Sequence, residues 1–268
     1  MKPNARRADP PETDETPEKE KRSGTIQSVS IAARFLAILA NAEGPMPLGE
    51  LARRARTGSS TAHRYMQSLV LEGLVAQDEI SGRYDLGPAA LSIGIGALRR
   101  ISPVEVAARH MKALSMRISA SCGVAIWTER GPTIVRWYRS ANFSISTVGL
   151  GDVLPLDNSA CGLVFQAHLM PDRIKAARRM QPPSFRGTAP AQSVLDAARQ
   201  SPILELNEHL FSLLTGKAAA VFDAQNEIAC VVTTVSMVAA AEAEGHRDAL
   251  LEVTRLVSKD CGGTPGRG

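Results

Sequence analysis

No stretch of this chain is long and apolar enough to cross a bilayer. Arg, Ser or Asp interrupts the longest apolar runs well before the roughly 18 residues that a spanning helix needs. The N-terminus also lacks the hydrophobic segment that directs secretion, so a cytoplasmic location is expected. The four cysteines, Cys122, Cys161, Cys230 and Cys261, lie far apart and form neither a CxxC pair nor a cluster with the five histidines, which argues against a metal site. Each is expected to be a small buried hydrophobe. The motifs of common enzymes are missing as well: there is no GxSxG elbow, Walker loop, HExxH pair or paired-carboxylate motif. Gly149 and Gly151 are not followed by the helix that a dinucleotide fingerprint requires. Cys161 and His168 sit seven apart on one predicted helix, about 10 Å along its axis, too far for a nucleophile and its base. Neither catalysis nor a cofactor is expected.

What is present is enough for two modest domains, since 268 residues with 44% apolar side chains can build two separate cores. The net charge is a mild +4. Between residues 24 and 100 the bases Arg34, Arg53, Arg54, Arg56, Arg64, Arg83, Arg99 and Arg100 nearly balance Glu43, Glu50, Glu72, Asp78, Glu79 and Asp85. Any attraction for nucleic acid must therefore be local, on the segment from Arg53 to Arg64.

That segment lies in the most informative stretch, LGELARRARTGSSTAHRYMQSLVLEGL. Leu48, Leu51, Ala52 and Ala55 fall at i, i+3, i+4 and i+7, one apolar face of a short helix. Arg56, Thr57 and Gly58 break the pattern, and Ser59 or Ser60 is placed to cap the next helix. There Ala62, Tyr65, Met66, Leu69 and Val70 form the buried side, and Ser60, Thr61, His63, Arg64 and Gln67 face outward. Two short helices joined by a tight turn make a helix-turn-helix. The outward hydroxyls, imidazole, guanidinium and amide suit phosphates and base edges, and no acid lies among them. Next comes VAQDEISGRYDLG, two extended runs around Ser81 and Gly82, which predict a hairpin wing with Arg83 beside its turn.

The segments QSVSIAARFLAILANAEGPMPLGELARR and SSTAHRYMQSLVLEGLVAQDEISGRYDLGPAALSIG resemble the N-terminal domain of the IclR-type transcriptional regulators, and the likeness continues to about residue 240. STAHR and GRYDLGP are its most specific parts. The resemblance implies a dimeric regulator with a second domain that binds a small molecule, and a homodimer or tetramer on pseudo-palindromic double-stranded operator DNA is expected. The DNA-facing set it supports is Arg56, Ser59, Ser60, Thr61, His63, Arg64, Gln67 and Arg83. The chain departs from the family pattern at the turn: Arg56 stands where glycine is usual, Gly58 where proline is common, and Ser59 where a base often meets phosphate.

Composition and pattern divide the rest. Residues 1–23 are rich in proline and charge and are expected to be a disordered tail. Residues 24–88 make the winged helix-turn-helix, whose first helix carries Val29, Ile31, Ala33, Phe35, Leu36, Ile38 and Ala40, more apolar surface than its own domain needs and so suited to a dimer contact. Residues 89–101 read as a linker helix, 102–262 as a second domain, and 263–268 as a short tail. In the second domain GVAIWTE, TIVRWYRS, FSISTVG, ILELN, KAAAVFD and EIACVVTTVSM read as strands among helices, an α+β arrangement on an antiparallel sheet. The resemblance implies its GAF-like or profilin-like form.

Within that domain GLGDVLPLDNSACGLVFQ places a glycine-bearing loop just before a helix predicted over 157–168, so backbone N–H groups face whatever sits there. Simple N-capping by Asp157 or Asn158 would also account for it. The resemblance favours a ligand and implies an effector site at Asn158, Ser159, Ala160, Cys161 and Gly162, with Asn207, Thr234 and Ser236 opposite. The chain differs from the family there too, with Asp157 for a usual histidine, Leu163 for a usual lysine and Asn207 for a frequent aspartate. Neither motif holds a lysine or arginine, so a small carboxylate or oxo metabolite is expected. A ligand-independent DNA binder would leave the second domain without a task, and an enzyme would need motifs the chain does not have.

Overall fold

The computed structural model describes residues 26–141, 148–185, 187–207, 213–238 and 245–263. The tail expected at 1–23 lies outside these residues, as do most of the FSISTVG strand and all but one residue of the C-terminal tail. The chain divides into two compact units, Met1–Gly94 and Ile95–Gly268.

The first unit is built from α1 (Gln27–Ala40), α2 (Leu48–Ala55), α3 (Ser59–Leu71) and a hairpin of β1 (Val75–Gln77) and β2 (Tyr84–Leu86). Phe35, Leu39, Leu51, Ala55, Ala62, Met66 and Val75 are buried together, so each helix contributes the face its apolar spacing marks out. Val70 is the exception, left exposed beside Leu71. Arg34 of α1 donates to the Ala55 carbonyl at 2.8 Å, satisfying an orphan acceptor at the end of α2. The chain leaves α2 through Arg56, whose φ of 53° and ψ of 49° are left-handed, the conformation that usually calls for glycine.

Two local expectations are corrected here. Neither Ser59 nor Ser60 caps α3: Gly58 is the N-cap and no side chain caps the helix, because extended backbone at Gly58 already brings both serines into the first turn. The hairpin does not turn on Ser81 and Gly82 alone but on the whole of 78–83. The Asp78 carboxylate accepts from Ser81 N at 2.7 Å and Ser81 Oγ at 2.6 Å, an Asx-type closure with Gly82 at positive φ.

Helix α4 (Pro88–Leu98) spans the division and buries none of its residues. The second unit is an antiparallel sheet of β3 (Ser121–Thr128), β4 (Gly131–Tyr138), β5 (Leu204–Asn207), β6 (Leu214–Phe222) and β7 (Ile228–Met237), in the order β4-β3-β7-β6-β5. One face packs on α5 (Pro103–Ser115) and α9 (His246–Asp260): Cys122, Val124, Ala219, Val221, Cys230 and Val232 meet Met111, Leu114, Leu250 and Val257. Fully burying each of these larger aliphatic side chains contributes about 1.5–3 kcal/mol. The other face packs on α6 (Ala160–His168), where Ala125, Ile134, Ala218 and Val231 meet Val164 and Phe165. With both faces covered, the strands carry apolar residues at both parities. Helices α7 (Pro171–Met180) and α8 (Gln192–Gln200) complete the unit.

Candidate functional site

In the first unit, α3 presents Ser59, Ser60, His63, Arg64 and Gln67 as exposed residues and Thr61 as half-buried. Its first intrahelical bond runs from Ala62 N to Gly58 O at 2.9 Å. The N–H groups of Ser59, Ser60 and Thr61 have no backbone partner among the described residues, so the positive end of the helix is open to an anion. Arg56 is exposed one turn away, and neither its guanidinium nor that of Arg64 has an acidic partner among the described residues. Arg54 differs, since Glu50 holds it at 2.5 Å. The hairpin has the opposite character. Its tip exposes Asp78, Glu79 and Ile80, and the Arg83 guanidinium folds back to donate to the Pro45 carbonyl at 3.3 Å. The two hydrogen bonds from Ser81 hold the Asp78 carboxyl below its usual pKa, so this tip stays anionic.

In the second unit a cavity of about 60 Å³ lies between the start of α6 and the sheet. From the loop and helix come Asn158, Ser159, Ala160 and Cys161, and from the strands Ile134, Trp137, Leu206, Leu214, Gly216, Thr233 and Val235, with Val148 and Leu154 closing the rim. No charged side chain is among these described residues. The helix begins at Ala160 rather than Asp157, because Ser159 is its cap: Ser159 Oγ accepts from Gly162 N at 2.9 Å and donates to the Pro155 carbonyl at 2.7 Å. Asp157 is engaged instead by Arg178 in a part-buried ion pair.

The structure brings Asn158, Ser159, Ala160 and Cys161 together at this cavity and places the remaining expected effector residues elsewhere. Gly162 lies on the helix's inner side, where an added Cβ would come within 2.2 Å of the Leu156 carbonyl oxygen. Asn207 accepts a hydrogen bond from Thr215, and Ser236 meets His246 Nδ1 at 3.3 Å. Thr234 pairs in register with Lys217, a buried lysine joined to Glu205 at 2.6 Å. These residues share the sheet face that packs on α5 and α9. On β7 they differ from the cavity-lining residues by one in strand parity, which turns every side chain to the opposite face. Thr233 and Val235 are the β7 residues on the cavity.

Sequence reasoning missed Trp137, Gly216 and Leu206 as well. The available signal was glycine inside strands. Gly216 lines the cavity, and a Cβ there would meet nothing within 4 Å. Gly123 pairs with Trp137, and a Cβ on it would come within 2.6 Å of the indole, so this glycine lets the ring lie against the sheet. The four thiols are buried and unpaired. Burial pushes those of Cys122, Cys161 and Cys230 to about 12, and it raises Cys261 too, so none is a thiolate near neutrality.

Residues 28–79 match the IclR helix-turn-helix domain. Over 152 residues the chain is 31% identical to an HTH-type transcriptional regulator of Haemophilus influenzae, covering 56% of each protein. Over 146 residues it is 31% identical to the glycerol operon regulatory protein of Streptomyces coelicolor, covering 53% of this chain and 56% of that protein. The chain thus spans about half the length of these curated relatives. The crystal structure of Pseudomonas aeruginosa HmgR superimposes with a TM-score of 0.79 at 28% identity, covering 89% of this chain and 99% of that one. Among the described residues no helix is long and apolar enough to cross a membrane.

Proposed function

The chain belongs to the IclR family of winged helix-turn-helix transcriptional regulators, and from that premise we propose that it binds operator DNA through α3 and holds a small-molecule effector at the start of α6. In this reading residues 24–88 bind DNA, 89–101 link, and 102–262 bind the effector and oligomerise. Ser60, Thr61, His63, Arg64 and Gln67 read the major groove, while Arg56, Ser59 and the open N–H groups of α3 hold phosphates. The observation that carries this is the acid-free, uncapped first turn of α3 beside two unpaired guanidinium groups. Arg83 is a backbone contact only if it leaves Pro45, and the anionic hairpin tip weakens that role. The protein acts as a homo-oligomer in the cytoplasm on pseudo-palindromic sites. Ile26 and Val29, 68% and 62% exposed at the start of α1, offer apolar surface for the partner copy.

The effector half is supported by the cavity itself, a concave site at a helix N-terminus beside residues from four strands. An effector regulates by binding one DNA-binding state of the oligomer better than another. The test is Gly216→Leu, which fills the cavity and lies within the second unit. The variant should keep its operator affinity in a band-shift assay and lose the response to metabolite. A variant that responds like the wild type would move the effector elsewhere.

A further inference from the structure

The donors around the α6 cavity can be counted. Ser159 Oγ already donates to the Pro155 carbonyl at 2.7 Å, and Thr233 Oγ1 donates to the Lys217 carbonyl at 2.8 Å, so neither hydroxyl has a proton left for a ligand. Beside the Asn158 amide on the rim, what remains is the indole Nε1 of Trp137, buried with no hydrogen-bond partner, together with the Ala160 and Cys161 N–H groups, which have no backbone partner among the described residues. A buried donor left unmade is costly, and such groups normally have a partner, water or ligand. Gly123 holds this indole against the sheet, and Gly216 leaves open the space in front of the strand. Apart from Asn158, the rest of the described wall is apolar: Ile134, Val148, Leu154, Leu206, Leu214 and Val235. These N–H groups can satisfy a neutral oxygen acceptor without help from a cation. They offer no cation for a buried carboxylate, whose transfer from water into an apolar site is expensive unless it is paired.

We infer that the ligand of this cavity is compact and uncharged, an apolar body bearing one carbonyl or ether-type oxygen that accepts from the Trp137 indole N–H; this rests on the reading of the cavity as the effector site. Of the two classes expected from the sequence, the oxo compound is retained and the carboxylate is set aside, because Thr234 and Ser236, the hydroxyls that would have helped to hold an anion, are on the other face of the sheet.

The test uses the full-length protein, labelled with ¹⁵N on its two indoles, and three probes of one skeleton: cyclopentanone, cyclopentane and cyclopentanecarboxylate. The Trp137 indole proton should move downfield with the ketone and not with the hydrocarbon, while Trp127 serves as internal reference. The ketone should bind at least about tenfold tighter than the carboxylate, and Trp137→Phe should lose about tenfold for the ketone alone, the size expected for one net hydrogen bond. Carboxylate binding tighter than ketone, or no probe moving the Trp137 signal, overturns the ligand class. If Trp137→Phe does not fold, the wild-type indole shifts decide by themselves. Gly216→Leu separates the two levels: ketone binding that persists in it means the cavity is not the site at all, whereas binding lost in it with the carboxylate preferred in the wild type means the site is right and the chemistry wrong.

Discussion

Arg56 carries the clearest conflict between residue type and backbone. An L-residue with a Cβ in the left-handed region costs on the order of 1 kcal/mol relative to glycine, and nothing else in the turn demands a side chain there. Arg56→Gly should therefore raise stability by about 0.5–1 kcal/mol in urea unfolding. If Arg56 meets a phosphate it should also weaken binding to all duplexes alike and lower the salt slope by about one. A stabilised variant with unchanged DNA affinity would remove Arg56 from the interface. His168 gives a second test. Burial, then the nearby Arg199 cation, lowers its pKa from 6.5, and its ring lies edge-on to Phe222 at 5.1 Å. The fold prefers the neutral ring, so below pH 6.5 the unfolded chain binds more protons. The contribution is complete above that pH and is lost as pH falls through it towards the lower folded value. His168→Gln should flatten this part of a plot of urea midpoint against pH. A profile that keeps the wild-type slope would place the titration on another group.

At the scale of elements, α3 and the hairpin make different predictions. Arg64→Ala should cost about 1–3 kcal/mol of discrimination between an operator and its mutated form if the guanidinium forks onto a guanine. Arg83→Ala should change affinity little, because Arg83 is spent on Pro45 and the adjoining tip is anionic. A large uniform loss on Arg83→Ala would show that the wing does grip the backbone. The same contrast explains what could be read in advance. Helices α2 and α3 are covered on one side only, so their apolar spacing stands out: Leu51, Ala52, Ala55, Ala62, Met66 and Leu69 are buried where their period put them. Strand β7 is covered on both sides, and Val231, Val232, Thr233 and Thr234 give no alternation from which to fix a face. Pairing with β3 and β6 sets that parity, and pairing is a long-range fact. Trp137 escaped notice for the same reason: its place depends on Gly123 across the strand pair.

At the scale of the whole molecule, the two-part α+β architecture was legible because each unit has its own core and its own kind of periodicity. The proposed effector cavity was half legible. Its helix start, Asn158 to Cys161, was marked by the family resemblance, whereas its sheet wall needs the register of four strands. The central claim is that this chain recognises a particular DNA sequence. It is tested most directly by fluorescence anisotropy of the full-length protein on the duplex flanking its own gene and on a shuffled duplex of equal length and composition. At about 0.15 M salt the flanking duplex should bind at least about a thousandfold tighter, with a stoichiometry of two chains or more per site. Equal affinity for the two duplexes would contradict the account.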